Sequence, residues 1–198
     1  WQLGHMQLDQ YVRKHNRFAR AMRRMEPDIK LVGVGHVGEW SKGMLKNCAS
    51  TMDMLSEHFY LGSKEDVAAH VQQMPDKIHS ICRAHRQYRK NIDGLADAKI
   101  PITVDEWNYW GDRPAPYGVA GIRYYLKDAL GVAAGLHAFF RNSDLVKMTN
   151  YAQTVNVLQA LIFTEEEDMV LNPTYHVYDL FQKLHDATLF PLTMKKEG

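Results

Sequence analysis

The sequence has few of the features that mark several common protein classes. Its two cysteines, Cys48 and Cys82, lack the CxxC spacing of a redox or zinc site, so neither a disulfide framework nor a zinc site is predicted. The net charge of +1 gives no indication of a nucleic-acid partner. The longest segment of low polarity, residues 130–140, is far too short to span a bilayer, so no membrane association is expected.

Several sequence motifs are also missing. There is no GxGxxG and no GxxxxGK[ST], which removes the main support for a nucleotide-binding α/β fold. The 10 histidines contain no HExxH or other close pair, so we expect no metal site and no cofactor. No signal peptide is visible, and we predict a cytoplasmic location. Because the chain begins at Trp1 rather than at an initiator Met, secretion stays open.

The composition that remains is typical of a globular protein. The 198 residues are 45% hydrophobic and 24% charged, which is enough to bury a sizeable core. Basic residues gather on the first predicted helix, and we interpret them as a solvated face rather than a phosphate-binding patch. They are Arg13, Lys14, Arg17, Arg20, Arg23 and Arg24.

Helical and extended patterns alternate along the chain. Helices are predicted at residues 8–25, 44–52, 67–91, 122–140 and 175–184, with a split or kink at Pro75. Strands are predicted at residues 29–34, 54–60, 100–105 and 146–150, and the tail at 188–192 is predicted to be extended. Strands separated by helices predict parallel pairing, either in a small open α/β sheet or in half of an eightfold barrel.

The segment at residues 100–110 has the clearest chemical meaning. An apolar, β-branched run ends in Asp105 and Glu106, and aromatic residues follow at once. A parallel barrel strand delivers a carboxylate to the rim of a site in this way, and aromatic rings beside it offer faces on which a sugar can stack.

Four motifs in one order give a family resemblance. They are DEWN at 105–108, SEHFY at 56–60, NYAQTVN at 150–156 and NPTYHV at 172–177. Together they resemble the second half of the catalytic barrel of glycoside hydrolase family 51, the α-L-arabinofuranosidases. The resemblance implies an α/β fold that is a partial (β/α)8 TIM barrel, about strands 5–8 with flanking helices. Residues 1–187 would form this half-barrel, and residues 188–198 would start a linker or β-sandwich region.

The resemblance also implies roles for single residues. Glu106 would be the nucleophile, and the Tyr60 hydroxyl would orient it by a hydrogen bond. Gln153 and Trp110 would bind the arabinose. His58 shares a strand face with Tyr60 at i, i+2, and it is either a further substrate-binding residue or a structural one. Trp107 and Asn108 are expected to brace the strand end, whereas Tyr109 and Trp40 stay open between sugar stacking and packing.

A second catalytic carboxyl group is harder to find. Retaining glycosidases need two such groups about 5–5.5 Å apart. Asp105 adjoins Glu106 and is expected to face the opposite side of the strand, and Glu57 alternates away from Tyr60. Asp112, on a loop beyond the rim, stays open. In the family the acid/base precedes a Trp-Gln pair, which Trp1-Gln2 resembles, so we expect that this chain lacks the acid/base.

We therefore predict a retaining glycosidase that removes terminal arabinofuranosyl groups from arabinan or arabinoxylan, with little or no activity in this chain alone. Two alternatives stay open, namely another retaining barrel glycosidase such as an endo-glycanase, and a non-catalytic truncated sugar-binding fragment. The expected partners are an arabinose-containing oligosaccharide or polysaccharide and, because a half-barrel has unpaired strand edges, either a complementary half-barrel or a second copy of the chain.

Overall fold

The computed structural model describes residues 5–95, 98–110, 124–157, 160–190 and 192. The helices are α1 (Leu8–Met25), α2 (Glu39–Cys48), α3 (Val67–Asn91), α4 (Leu126–Arg141) and α5 (Pro173–Phe181), and α5 continues into a 3-10 turn at Gln182–Leu184. The strands are β1 (Val32–Val34), β2 (Met54–Leu61), β3 (Ile102–Tyr109), β4 (Val146–Tyr151), β5 (Ile162–Glu165) and β6 (Asp168–Leu171). Trp1-Gln2, Asp112 and position 191 of the predicted tail lie outside the described residues, and the other residues at 188–192 form no regular strand.

The first four strands form one sheet in the order β1-β2-β3-β4. β1 pairs with β2 in parallel, and β3 pairs with β4 in parallel. Helices separate these strands along the chain, so the predicted α/β class is confirmed.

The chain divides into two compact units. The first comprises residues 1–60, 79–108 and 144–151, and its core cluster lies between α2, β2 and the end of α3. The fully or nearly buried members of that cluster are Met44, Leu45, Cys48, Met52, Leu55, Tyr88, Leu95 and Ile100. From α1, the partly buried side chains of Leu8, Tyr11 and Val12 pack against the edge of this cluster.

β1 is shorter than the predicted strand at 29–34. The Leu31 N–H donates to Oδ2 of Asp53 over 2.8 Å, so a side chain takes the place of a ladder partner before the strand begins. Asp53 also accepts from Arg23 over 2.8 Å. Burial acts to raise the pKa of Asp53, but the Leu31 N–H bond and the Arg23 partner together lower it below its ordinary value. The other basic residues of α1 are exposed, namely Arg13, Lys14, Arg17, Arg20 and Arg24.

The second unit comprises residues 61–78, 109–143 and 152–198. In it α4 packs against α5, and β5 and β6 form an antiparallel hairpin. Sequence analysis missed this hairpin because its residues are mostly exposed and show no alternation of apolar and polar side chains. α3, which contributes to both units, runs through Pro75 as one helix. The predicted split is therefore absent, and the alternative of a kink stays a prediction.

A buried polar cluster joins the helices of the second unit. His70 is fully buried, and its Nε2 lies 2.9 Å from Oδ1 of Asp128 in the first turn of α4. The Lys64 N–H donates to Nδ1 of the same ring over 3.1 Å, which leaves Nε2 as the donor to Asp128. Burial lowers the pKa of His70, and Asp128 opposes that effect.

No helix in the described part of the chain is both long and apolar enough to cross a membrane.

Candidate active site

Two carboxylates, Asp105 and Glu106, emerge together on β3. Val104 is in register with Thr149 on β4, and Trp107 is in register with Tyr151, so three steps along β3 match two along its neighbour. This extra residue is a β-bulge, and both carboxylates lie within it. Burial changes at the bulge as well. Residues 102–104 and 107–109 are buried, whereas residues 105 and 106 are only half-buried.

Glu106 has one partner for each of its carboxylate oxygens. The Tyr60 hydroxyl donates to Oε1 over 2.6 Å, which is the contact that the resemblance implies. Nδ1 of His58 lies 3.3 Å from Oε2. Both partners come from β2, where strand alternation places them on one face. The structure thus brings together Glu106, Tyr60 and His58 in the first unit.

Asp105 lies on the other side of the same imidazole. Its Oδ1 lies 3.3 Å from Nε2 of His58 and accepts a hydrogen bond from the Ser56 hydroxyl over 2.6 Å. The prediction that Asp105 faces away from Glu106 is therefore wrong, since one imidazole contacts both carboxylates. The bulge is the reason, because it interrupts the strict alternation on which that prediction depended.

The electrostatics of the pair favour a protonated tyrosine beside a carboxylate. Burial raises the pKa of Tyr60 well above its ordinary value, and the hydrogen bond and negative charge of Glu106 raise it further. Tyr60 therefore stays a hydroxyl donor at neutral pH. The Glu106 side chain keeps 42% of its accessible surface, so a solute can reach it.

Glu57 has a different environment, as the alternation of β2 predicts. It is 2% exposed, and Nε2 of His85 lies 2.6 Å from its Oε1. The Ser41 hydroxyl donates to Oε1 over 2.7 Å, and the Val37 N–H donates to Oε2 over 2.9 Å. Glu57 therefore links α2, β2 and α3 through its hydrogen bonds, and its carboxylate is too buried to contact a substrate.

The remaining candidates, Gln153 and Trp110, belong to the second unit. Gln153 is exposed, and its backbone carbonyl accepts from the Leu161 N–H over 3.3 Å. The Trp110 side chain is 41% exposed, and its backbone N–H donates to the Leu61 carbonyl over 2.8 Å. Both residues present surface to solvent, and their roles stay predictions.

The aromatic residues left open by the sequence are packing residues. Tyr109 is 2% exposed, stacks on His70 and donates its hydroxyl to the His70 carbonyl. Trp40 packs on Tyr11 and donates its indole N–H to the Val34 carbonyl over 3.0 Å. Trp107, for which the sequence already predicted a bracing role, is fully buried and stacks against Phe59.

Sequence analysis missed Ser56 as a member of the site. Ser56, His58 and Tyr60 occupy positions i, i+2 and i+4 of β2, so alternation alone puts the serine on the same face as the other two. In contrast, no pattern in the sequence indicated the bulge that brings in Asp105. Within the described ranges, no three His, Cys, Asp or Glu side chains are grouped so that they could hold a metal ion.

Comparison with known proteins places this geometry in a family. Residues 105–198 match the family model described as the α-L-arabinofuranosidase C-terminal domain. The "Intracellular exo-alpha-L-arabinofuranosidase" of Bacteroides ovatus is 31% identical over 178 residues, which cover 80% of this chain and 33% of that protein. An "Intracellular exo-alpha-(1->5)-L-arabinofuranosidase" of Streptomyces lividans is 29% identical over 83% of this chain and 28% of its own length.

Solved structures agree with the sequence relatives. The α-L-arabinofuranosidase of Thermotoga maritima, solved with arabinose, is 28% identical with a TM-score of 0.80, over 89% of this chain and 36% of that one. The GH51 α-L-arabinofuranosidase of Thermotoga petrophila is 29% identical with a TM-score of 0.77 over the same shares. The chain thus spans about a third of the length of the relatives it matches. By sequence and by structure, the chain belongs to the α-L-arabinofuranosidases of glycoside hydrolase family 51.

Proposed function

We propose that this chain carries the nucleophile of a retaining α-L-arabinofuranosidase that removes terminal arabinofuranosyl groups from arabinan or arabinoxylan. The observation that carries the proposal is the hydrogen bond of 2.6 Å from the Tyr60 hydroxyl to Glu106. The Glu106 carboxylate is half-buried and lies on β3, which pairs with β4 in parallel. The names of the relatives support the substrate class, since the Bacteroides ovatus protein is called an exo-α-L-arabinofuranosidase.

In the fold that we propose, the four-stranded sheet is part of a (β/α)8 barrel. β1, β2, β3 and β4 would be barrel strands 5, 6, 7 and 8, with residues 1–187 in the barrel and 188–198 at the start of a linker or β-sandwich region. The strand order, the parallel pairs and the TM-score of 0.80 to the Thermotoga maritima enzyme support this assignment. A cytoplasmic location is proposed with it, in line with the word "intracellular" in the names of relatives.

The reaction would run as a double displacement. A carboxylate oxygen of Glu106 attacks the anomeric carbon, and the bond from that carbon to the leaving oxygen breaks, so that a glycosyl ester forms. Water then attacks the same carbon, the ester bond breaks, and arabinose leaves with its anomeric configuration retained. Tyr60 holds Oε1 in place before the attack, and it keeps its proton because its pKa is raised.

The acid that protonates the leaving group is assigned to none of the described residues of this chain. Glu57 is buried in its own polar cluster, and Asp105 is held by Ser56 and His58. We propose that the acid/base belongs to a part of the barrel that this chain does not include. Gln153 and Trp110 would contact the sugar, the first by its amide and the second by its ring face.

This assignment predicts a specific chemical rescue. A 2,4-dinitrophenyl α-L-arabinofuranoside needs little acid assistance to lose its aglycone, so the chain should form the ester from it. Azide attacks such an ester without help from a base. With azide present we expect α-L-arabinofuranosyl azide to accumulate, as observed by NMR, and Glu106→Gln to abolish its formation.

Each other outcome counts against part of the proposal. A β-configured azide product would contradict the retaining mechanism. Turnover of β-xylosides in place of the arabinofuranoside would favour an endo-glycanase. Binding of arabinose without any azide product, in a chain shown to be folded by circular dichroism, would favour a sugar-binding role.

A further inference from the structure

A chain of polar contacts extends from the core of the first unit to Glu106. The Ser56 hydroxyl donates to Oδ1 of Asp105 over 2.6 Å, and the same oxygen lies 3.3 Å from Nε2 of His58. The opposite edge of that ring, at Nδ1, lies 3.3 Å from Oε2 of Glu106. One imidazole therefore connects the two carboxylates of the bulge.

We propose that Asp105 and Ser56 are positioning residues, which fix the ring of His58 and through it the second oxygen of Glu106. The inference rests on the proposed function of Glu106 and deepens it. It also gives His58 a different role from the substrate-binding one expected from the sequence, because both of its ring nitrogens face carboxylates of the protein.

The stereochemistry of the imidazole explains why such a support is needed. A histidine ring on a strand can turn about its side-chain bonds unless both of its edges are held. Each ring nitrogen of His58 lies 3.3 Å from one carboxylate oxygen, so the two carboxylates contact opposite edges of the ring. Asp105 thereby keeps the ring in place at the stage when Glu106 is esterified and no longer carries its charge.

Burial shows where the support is anchored. Ser56 is 6% exposed, whereas the side chains of Asp105 and His58 are 30% and 44% exposed. The contacts thus lead from a buried hydroxyl to a solvent-accessible nucleophile, and each step is shorter than 3.5 Å. Tyr60 holds only Oε1, so without His58 the carboxylate of Glu106 can rotate about its last side-chain bond.

The test combines a structural and a chemical readout on the full 198-residue chain. The structural readout is the pair of His58 ring-nitrogen resonances in long-range ¹H–¹⁵N spectra. The chemical readout is esterification of Glu106 by an activated 2-deoxy-2-fluoro-α-L-arabinofuranoside, followed by intact mass, with the maximal rate separated from the half-saturating concentration. The variants are Asp105→Asn and Ser56→Ala.

Asp144→Asn is the matched control, because it removes the same charge from the same unit at a residue that pairs with Arg86. We expect Asp105→Asn to move the Nε2 resonance and to lower the maximal labelling rate about 10- to 100-fold, with little change in the half-saturating concentration. Ser56→Ala should lower that rate about threefold, as expected for the loss of one hydrogen bond. Asp144→Asn should change neither readout.

Two results would overturn the inference. One is an Asp105→Asn chain with unchanged Nε2 resonance and labelling rate, and the other is a loss confined to the half-saturating concentration. If Asp105→Asn does not fold, Ser56→Ala decides by the same two readouts. If wild-type chain is not labelled at all, the proposed function fails, and the His58 resonances alone then decide whether Asp105 holds the ring.

Discussion

At the scale of single residues, Glu106 owes its properties to two neighbours on one strand. Tyr60 and His58 contact different oxygens of the carboxylate, over 2.6 Å and 3.3 Å. The family resemblance implied the Tyr60 contact, and a period of two along a strand places His58 on the same face as Tyr60. The contact of Asp105 with His58 was not predictable, because it depends on a bulge, and a bulge is specified by the pairing of two strands rather than by local sequence.

Removal of the Tyr60 hydroxyl should slow esterification of Glu106. In Tyr60→Phe the ring still packs, but Oε1 loses a donor, and a hydrogen bond to a charged group contributes about 1.5–3 kcal/mol. We therefore expect the labelling rate to fall by about 10- to 100-fold. Intact mass against time measures this rate. Tyr11→Phe, which removes a hydroxyl from a tyrosine packed on Trp40, should label at the wild-type rate.

The raised pKa values of Tyr60 and Tyr109 should make the fold sensitive to alkaline pH. Burial is the main cause for both Tyr60 and Tyr109, so the folded chain keeps these protons when the unfolded chain loses them. Stability is then fully present below about pH 10, the ordinary tyrosine pKa, and falls as the pH rises above it. Urea unfolding between pH 8 and pH 11 measures the slope.

Phenylalanine at either position should make that alkaline slope shallower. Phenylalanine has no proton to lose, so the folded and unfolded states of the variant differ by one bound proton less at alkaline pH. A slope that is the same in wild type, Tyr60→Phe and Tyr109→Phe would contradict the account of these two residues.

At the scale of elements, β2 separates two kinds of polar chemistry. One face carries Ser56, His58 and Tyr60, while Glu57 on the other face pairs with His85 in the core. The alternation that predicts this division is local, which is why the sequence indicated it. Boundaries and the β5–β6 hairpin were harder to predict, since they depend on contacts such as that of Leu31 with Asp53.

The close approach of β1 to β2 should make Gly35 intolerant of a side chain. A Cβ atom at Gly35 would lie 2.0 Å from the Ser56 carbonyl oxygen, which is backbone and cannot turn away. At Gly33 the nearest atom would be the Met52 sulfur at 2.6 Å, on a flexible side chain. We expect Gly35→Ala to cost about 3 kcal/mol of unfolding free energy and Gly33→Ala less than about 1 kcal/mol.

Urea unfolding of the two glycine variants measures this difference with one chemical change at two sites two residues apart. Equal losses of stability in both variants would show that the Ser56 carbonyl does not exclude a side chain at Gly35 more strongly than Met52 does at Gly33. Because Ser56 also belongs to the active-site face, Gly35→Ala should in addition slow the labelling of Glu106, whereas Gly33→Ala should not.

At the scale of the whole molecule, the chain is a small part of the proteins it resembles, about a third of their length. β1 is one of the two outer strands of the described sheet, and Val32 and Val34 on it are 38% and 48% exposed. Strand edges with exposed apolar side chains tend to pair with another chain. The sequence indicated the parallel sheet, but it could not show which surfaces a missing partner would cover.

We therefore expect the chain to self-associate when no other chain pairs with β1. Light scattering over a range of protein concentrations should show species larger than the monomer. Val34→Lys should weaken the association, because it places a charge on the outer strand. Val67→Lys, at an exposed position at the start of α3, is the matched control and should leave it unchanged. A wild-type chain that stays monomeric would contradict this expectation.

The most direct test of the central claim is to find the carboxylate that captures the sugar. The chain is treated with the activated 2-deoxy-2-fluoro-α-L-arabinofuranoside, digested with protease and mapped by tandem mass spectrometry. The account predicts one adduct, an ester on Glu106, which is absent in Glu106→Gln and greatly slowed in Tyr60→Phe. An adduct on Asp105, on Glu57 or on any other residue would contradict it, as would labelling that persists in Glu106→Gln.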